Sequence, residues 1–557
     1  MAVRLTGFQM RVLVGDNDAS AVVQPAGGAW LRAAAEAALI ATIFAAAGAW
    51  PVPDVNETVY LTKARHAADP AWLRGDFFLE TPDAHGAFYL LMGPITAALP
   101  FEQAAWVGRV LGWLMLAVGC RHALVPLVVP GWPRLVAAAV FSLALRHTTA
   151  AGEWVIGGCE AKVFAWALVL GSLGELFRGR FPSASCLLGA ATAVHPIVGG
   201  WSAVAALAAG LAVSRPRQPQ PRAIWAVLIA LALALAAAGI VPALGLSAGA
   251  VTERAEAARI YVLERLPHHL LVRAFAAGMV ARHVLAILVW WLLWRSVPPS
   301  PARARLAAFT AAALGISLAG CAISLLEPWA PTAAYGLLRY YWFRLGDVAV
   351  PFALAVAVAA VLSDEVACRR LCGVRSASVR LAAIALLGLD LAVESGHWPL
   401  PGRSGPAPRS DAKVQAEAWA DICGWVRDNA PADACFLTPR GAASFTWLTG
   451  RREVVSWKNS PQDAASLIAW RHRIVDCFSR DGGMADLERS TSALGAERIR
   501  LVAERYGADH AIVPRDAPGA ADLPFPRLHA NARYAVHAIT ASAASPDRRP
   551  DGPPAAE

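Results

Sequence analysis

Long apolar windows separated by short polar breaks occupy the chain as far as Val393. They run near Ala33–Trp50, Ala104–Cys120, Leu135–Thr149, Ala161–Phe177, Ala184–Val213, Ala223–Val241, Ala274–Trp294, Leu306–Leu326, Val348–Leu362 and Leu381–Val393. An α-helix needs about twenty apolar residues to cross a bilayer, so these windows predict membrane spans. Ala184–Val213 is too long for one span and is broken by His195-Pro196 and Gly199-Gly200. It predicts a tight hairpin of two helices, bringing the total to about eleven spans.

The polar breaks carry the orientation. With the N-terminus inside, arginine clusters at Arg121, Arg178/Arg180, Arg215/Arg217/Arg222, Arg295/Arg303/Arg305 and Arg369/Arg370/Arg375 all fall on the cytoplasmic side. The segments then left outside are Pro51–Glu102, Ala151–Glu160, Ser247–Arg273, Glu327–Asp347 and everything after Glu394. Past that point the pattern changes. A Pro/Gly/Ser-rich stretch, SGHWPLPGRSGPAPRS, reads as a linker. Beyond it Trp419, Ile422, Trp425 and Val426 recur at helical spacing, and ACFLTP, EVVSW and HAIVPR read as short strands between helices. The predicted fold class is therefore a polytopic α-helical membrane protein with a C-terminal soluble α/β domain. Its expected divisions are a cytoplasmic segment 1–32, a membrane domain 33–394 with an external loop 51–102, a linker 395–412, an external α/β domain 413–545 and a disordered tail 546–557.

Composition agrees with that division. A mean hydropathy of +0.44 and 16% charged residues, against about 25% in a soluble domain, exclude a single soluble globule. The net charge of +9 is mostly arginine between apolar windows, which argues for membrane topology rather than nucleic-acid binding. The nine cysteines form no C-x-x-C pair and have no histidine at zinc spacing. Cys423, Cys435 and Cys477 form an odd set in the tail, with room for one disulfide in an oxidising compartment.

The densest polar cluster is the first external loop, DVNETVYLTKARHAADPAWLRGDFFLETPDAHGAFY. Asp54 and Glu57 stand three residues apart, so one helical turn puts them on one face, able to converge on an acceptor hydroxyl or a divalent cation. Asp54 can also be explained as a helix cap, whereas Glu57 has no equally ready structural task. Asp69, Asp76 and Glu80 read as ordinary loop acids. Other external segments break the charge bias: RIYVLERLPHH brings Arg259, Arg265, His268 and His269, and LLRYYWFRLGD brings Arg339 and Arg344. Headgroup binding or salt bridges account for at least half of these arginines. Tyr340, Tyr341 and Trp342 read as interfacial aromatics, Glu160 and Lys162 as helix-end charges, and His195 as a residue bonding a neighbouring helix.

An acidic first external loop after the first helix, a many-helix core and an external C-terminal α/β domain together resemble the GT-C superfamily of membrane glycosyltransferases. The stretches NETVYLTKARH, IYVLERLPHH, LLRYYWFRLGDVAVP and GRREVVSWKNSPQDA are similar to those of uncharacterised bacterial polytopic membrane proteins. The superfamily resemblance implies inverting transfer of a sugar from a polyprenyl-phosphate-linked donor to a glycan, lipid or protein acceptor on the external face of the inner membrane. It implies Glu57 or Asp54 as base, with Mg or Mn as an expected companion of those two acids. It also implies Arg259, Arg265, His268, His269, Arg339 and Arg344 around the donor phosphate. The D-x-x-E spacing departs from the adjacent acids usual in the superfamily.

In the tail, Arg440, Trp457 and Lys458 are expected, with His85 of the first loop, to recognise the acceptor, since aromatic faces beside cations suit carbohydrate; an ordinary interface between the tail domain and the membrane domain would use the same tail residues. The tail has no phosphate-binding glycine loop and no nucleophile elbow, so nucleotide chemistry is unsupported. The alternative function is a non-catalytic scaffold in envelope assembly. A transporter ranks lower, since the charges sit at helix ends and no internal repeat is evident.

Overall fold

The computed structural model describes residues 26–213, 221–373, 376–400, 402 and 405–539. The N-terminal segment through residue 25, Arg215, Arg217, Arg375 and the tail 546–557 lie outside the described residues. The helices begin with α1 (Ala26–Gly48), α2 (Glu57–Ala68), α3 (Gly86–Ala98), α4 (Phe101–Leu124), α5 (Trp132–His147), α6 (Ala161–Phe177), α7 (Phe181–Val194), α8 (Pro196–Ala212) and α9 (Arg222–Gly245). Then come α10 (Val251–Arg259), a π-helical turn at Ile260–Arg265, α11 (Pro267–Leu270), α12 (Ala277–Trp294), α13 (Pro301–Leu325), α14 (Pro331–Leu338), α15 (Gly346–Ser363), α16 (Glu365–Cys372) and α17 (Ser376–Glu394).

Seven of these, α1, α4, α9, α12, α13, α15 and α17, contain segments long and apolar enough to cross a membrane. Their outward faces leave Leu233 and Leu244 of α9, Leu285 and Trp291 of α12, and Leu381 and Leu386 of α17 more than half exposed. A belt of that kind is stable only against lipid, and the chain is a multi-pass membrane protein. The Ala184–Val213 window does divide at His195, whose backbone is extended between α7 and α8. The two helices run antiparallel, with Gly199 against Thr192 at one end and Gly210 against Phe181 at the other. A Cβ on Gly199 would lie 2.3 Å from the backbone of Thr192, so only glycine permits this turn.

The loops sort to two ends. At one, Arg121 and Arg134 bind Glu36, His122 binds Glu175, and Arg303, Arg305 and Arg380 donate to the carbonyls of Leu127, Phe177 and Leu362. These arginines satisfy carbonyls near helix ends as well as marking orientation. At the other end Asn56 meets Glu160, Asp347 accepts from the N–H groups of Ala150 and Ala151, Arg273 pairs with Glu327 and Arg344 with Glu153.

The α/β part sits on this second end. Its helices are α18 (Ala416–Asn429), α19 (Phe445–Thr449), α20 (Ala464–Phe478) and α21 (Ala496–Tyr506). Its strands are β1 (Cys435–Leu437), β2 (Arg452–Glu453), β3 (His510–Pro514), β4 (Arg527–Ala530) and β5 (Tyr534–Ala538), in the order β2-β1-β3-β5-β4. β2, β1 and β3 are parallel, while β5 and β4 add antiparallel. Helix α18 buries Trp419, Ile422 and Val426 as the spacing predicts, while Trp425 turns outward to stack on His529 at 4.8 Å. The expected strand EVVSW belongs to the sheet only at Glu453, with the Val454 N–H still donating to the Phe436 carbonyl at 3.0 Å; Val454 and Val455 stay in the domain core, and the chain reaches the cavity only from Lys458 on. Cys423, Cys435 and Cys477 are free and buried, with no disulfide among them.

This domain shares its core with the membrane part. Ala257 and Ile260 are buried among Leu467, Trp470 and Ile474. Trp447 stacks on Phe101 at 4.8 Å, and Arg471 pairs with Glu264 at 2.8 Å.

Candidate functional site

Asp54 and Glu57 are buried at 1% and 0% exposure, and neither is among the residues lining the cavity described below. Arg109, from the middle of α4, grips Glu57 with both arms, Nε to Oε1 and Nη2 to Oε2 at 2.7 Å each. The same carboxylate accepts from the N–H of Asp54 at 2.7 Å and of Cys159 at 2.7 Å. Asp54 accepts from the N–H of Val55 and of Gly158, and lies 3.4 Å from Arg409. A Cβ on Gly158 would fall 2.8 Å from Asp54 and 2.9 Å from Glu57, so this glycine lets the 151–160 segment press onto the two acids. Both oxygens of Glu57 are therefore committed to guanidinium and amide donors. The arrangement ties the first loop to α4 and to the segment before α6. A divalent cation does not fit there, because a metal would have to displace a bidentate arginine. Among the described residues no group of three or more His, Cys, Asp and Glu side chains is placed to hold a metal.

A cavity of about 600 Å³ opens next to this knot, between the membrane helices and the α/β domain. The first loop contributes Asn56, Tyr60, Asp83 and His85, the 151–160 segment Glu153, Trp154 and Glu160, and α6 Lys162. Arg265 and His269 come from the turns after α10, Arg339 and Arg344 from the segment before α15, and Lys458, Ser460 and Gln462 from the segment that left the sheet after β2. Ile197, Gly200, Trp201 and Val204 of α8 recur at i, i+3, i+4 and i+7, one face of that helix. The same face continues into Leu207 and Leu211, 65% and 77% exposed, so the cavity drains into an apolar track along the helix bundle.

Charges in the cavity divide into two kinds. Glu160 accepts from Asn56 at 2.9 Å and Trp154 at 3.2 Å, with Lys162 at 3.5 Å. Glu153 pairs with Arg344 at 2.9 Å and lies 3.9 Å from Lys162. Arg344 also lies over Tyr341, which holds a left-handed φ of 54° and shares a 2.9 Å contact between hydroxyls with Tyr261. These cations are compensated.

Arg265 and Lys458 are not. Arg265 is 9% exposed; its Nη2 donates only to the carbonyl of Lys458 at 3.4 Å, its Nε has no hydrogen-bond partner, and its plane faces Trp457. Neither cation has an ion-pair partner among the described residues. Burial, then the neighbouring Arg265, pushes the Lys458 ammonium down to about 7. His269, beside Gly152, is pushed down to about 3, first by burial.

Asp83 and His85 form a buried pair through Oδ1 and Nδ1, with Lys63 3.9 Å from the other carboxylate oxygen. His85 and the Lys63 cation hold Asp83 well below the usual carboxylate range against the opposing effect of burial. The His85 ring stands edge-on to His195 at 4.9 Å and to Tyr60 at 5.2 Å, and its Nε2 has no partner among the described residues.

Of the residues singled out from sequence, Arg265, His269, Arg339, Arg344, His85 and Lys458 meet in this cavity. Arg259 pairs instead with Glu256 and Glu264, both within reach of its own helix. His268 stacks on His269 and does not line the cavity. Arg440 turns into its own domain, donating to the carbonyls of Glu488 and Leu487, and Trp457 lies between Arg265 and Arg440. Sequence reasoning passed over Arg109 and Asp83. Arg109 had a signal: an arginine inside an apolar window must find a buried partner.

Residues 417–477 match the family described as a domain of unknown function (DUF6798). No curated protein matches the chain. Among solved structures, the chain is similar to the Archaeoglobus fulgidus oligosaccharyltransferase, at 12% identity and a TM-score of 0.39, covering 87% of this chain and 68% of that one. It is also similar to the arabinofuranosyltransferase AftD from Mycobacteria, at 14% identity and a TM-score of 0.47, covering 91% of this chain. The chain spans 41% of that enzyme's length.

Proposed function

We propose that this protein is a membrane glycosyltransferase that moves a sugar from a polyprenyl-phosphate-linked donor to an acceptor hydroxyl, inverting the anomeric centre. The observation that carries the reading is the pair Arg265 and Lys458: two adjacent cations, one buried and one half-buried, without an ion-pair partner among the described residues, in a cavity whose Glu160 is already held by Asn56, Trp154 and Lys162. Like charges held out of water are costly unless an anion joins them, and a lipid phosphate supplies an anion and a tail together.

In this reading the prenyl tail follows the α8 face, and the phosphate lies against Arg265 and Lys458, with Arg339 and His269 at the same wall. His85, oriented by Asp83 through Nδ1, accepts the acceptor's proton at Nε2. The acceptor oxygen then bonds to the anomeric carbon, the bond from that carbon to the phosphate oxygen breaks, and the electron pair leaves on the phosphate, where the two cations stabilise growing charge. Asp54 and Glu57 hold the first loop in place for this chemistry. The arginine-rich end of the bundle faces the cytoplasm and the cavity faces the external side of the inner membrane.

Purified protein in nanodiscs, given a polyprenyl-phosphate-linked sugar and a lipid or glycan acceptor, tests this. Expected is transfer with inverted configuration that His85→Gln reduces by about a hundredfold or more while donor binding stays unchanged. Full activity in His85→Gln would remove the histidine from the reaction, and absence of both donor binding and transfer would overturn the function.

A further inference from the structure

Two uncommon backbone features meet in the cavity wall. The chain from Ile260 to Arg265 winds as a π-helical turn, a rare form found frequently at functional sites. Tyr341 holds a φ of 54°, a left-handed conformation that is costly for a bulky side chain and persists only where its surroundings enforce it. Here they do. The carbonyl of Tyr340 accepts from Trp201 Nε1 at 2.7 Å, and Trp342 Nε1 donates to the carbonyl of Leu337 at 2.8 Å. Gly320 of α13 makes room for the turn, since a Cβ there would fall 2.5 Å from the Cβ of Trp342.

Each feature delivers a tyrosine to the same place. Tyr261 and Tyr341 both line the cavity, and their rings pack against the apolar cluster of Val262, Leu270, Leu338 and Phe343. Their hydroxyl oxygens lie 2.9 Å apart. Two phenols share one hydrogen bond through one of their two protons, so one O–H is left over. Among the described residues neither hydroxyl makes a second hydrogen bond. The charged side chains that act most strongly on the Tyr341 hydroxyl are Arg344 and Arg265, donors rather than acceptors. Burial, then Tyr261, raises that hydroxyl well above the ordinary phenol range, so it keeps its proton.

We infer that the Tyr261–Tyr341 pair is a neutral donor to the ligand phosphate, its unshared O–H donating to a phosphoryl oxygen in the cavity that Arg265 and Lys458 also serve. That the anion is a lipid phosphate rests on the proposed function. Hydrogen bonds to a charged acceptor are the strong ones, and this one strengthens as the phosphate gains charge on leaving the sugar. The cations supply attraction, and the hydroxyl pair fixes the direction of one oxygen.

Retention of polyprenyl phosphate and of polyprenol by the full-length protein in nanodiscs, read by native mass spectrometry with melting temperatures, tests this on the Tyr261→Phe/Tyr341→Phe double variant, which loses both hydroxyls and keeps both rings. Expected is retention of polyprenyl phosphate lower by about tenfold or more, with polyprenol retention and melting temperature as in wild type. Wild-type retention of polyprenyl phosphate by the double variant would overturn the donor role and leave the Arg265 and Lys458 site standing. Equal loss of both lipids would also overturn it, because the pair would then shape the cavity without contacting phosphate. Wild-type protein that retains no polyprenyl phosphate would overturn the phosphate site and the donor together. Where the double variant does not fold, the two single variants carry the same comparison: loss in at least one is expected, and loss in neither would overturn the role.

Discussion

Two clusters of buried charge lie side by side in this protein, and they differ in bookkeeping. Around Glu57 every charge is answered: Arg109 binds both carboxylate oxygens, and backbone N–H groups take what remains. Around Arg265 and Lys458 no acid forms an ion pair among the described residues: Arg265 meets a backbone carbonyl and an aromatic face, and Glu160 and Asp54 act on Lys458 only from a distance. The first arrangement is complete without a ligand and fixes a loop. In the proposed reading, an anion completes the second.

The largest expected effect comes from breaking the complete cluster. Glu57→Gln or Arg109→Gln strands a buried charge or dipole and should cost roughly 3–5 kcal/mol, seen as loss of folded protein or a sharply lower melting temperature in detergent. Replacing both by apolar residues of similar volume should restore much of that loss. A Glu57→Gln protein that melts normally but transfers no sugar would return the base to Glu57. Next in size is His85→Gln, with turnover down about a hundredfold to ten-thousandfold and the melting temperature little changed.

Arg265→Gln and Lys458→Met should each weaken polyprenyl-phosphate binding by about tenfold to a hundredfold, the value of one charge-assisted hydrogen bond, without lowering stability. Removing one of two like charges relieves repulsion, so a slightly higher melting temperature is the expected companion. Smallest is the pH effect. Lys458 is charged below about 7 and neutral above it, so phosphate affinity should fall by about tenfold between pH 6 and 8. Lys458→Arg should flatten most of that slope.

Much of this architecture was legible in the sequence because membrane burial writes itself in long windows. The His195-Pro196 break marked a hairpin, and Arg121, Arg178, Arg303 and Arg305 of the predicted clusters gather at one end of the bundle. Arg265, Arg344 and Lys458 stood out because cations on an external surface ask for partners. What sequence did not convey is which charges pair. Glu57 and Arg109 are 52 residues apart and meet only because the first loop folds back against α4. His85 was singled out as an acceptor residue, but its pairing with Asp83, two residues before it, and its position against His195 and Tyr60 come only from the fold. The strand expected at EVVSW ended early because Val454, Val455 and Ser456 pack into the core of the α/β domain, and only the residues after it, Lys458, Ser460 and Gln462, reach the cavity wall.

The most direct test is the retention of polyprenyl phosphate by nanodisc-embedded wild-type protein and by the Arg265→Gln/Lys458→Met double variant at pH 6.5, measured by native mass spectrometry with melting temperatures alongside. The account expects wild type to retain the lipid and the double variant to lose it by at least tenfold at equal or higher melting temperature. Equal retention by the two proteins would contradict it.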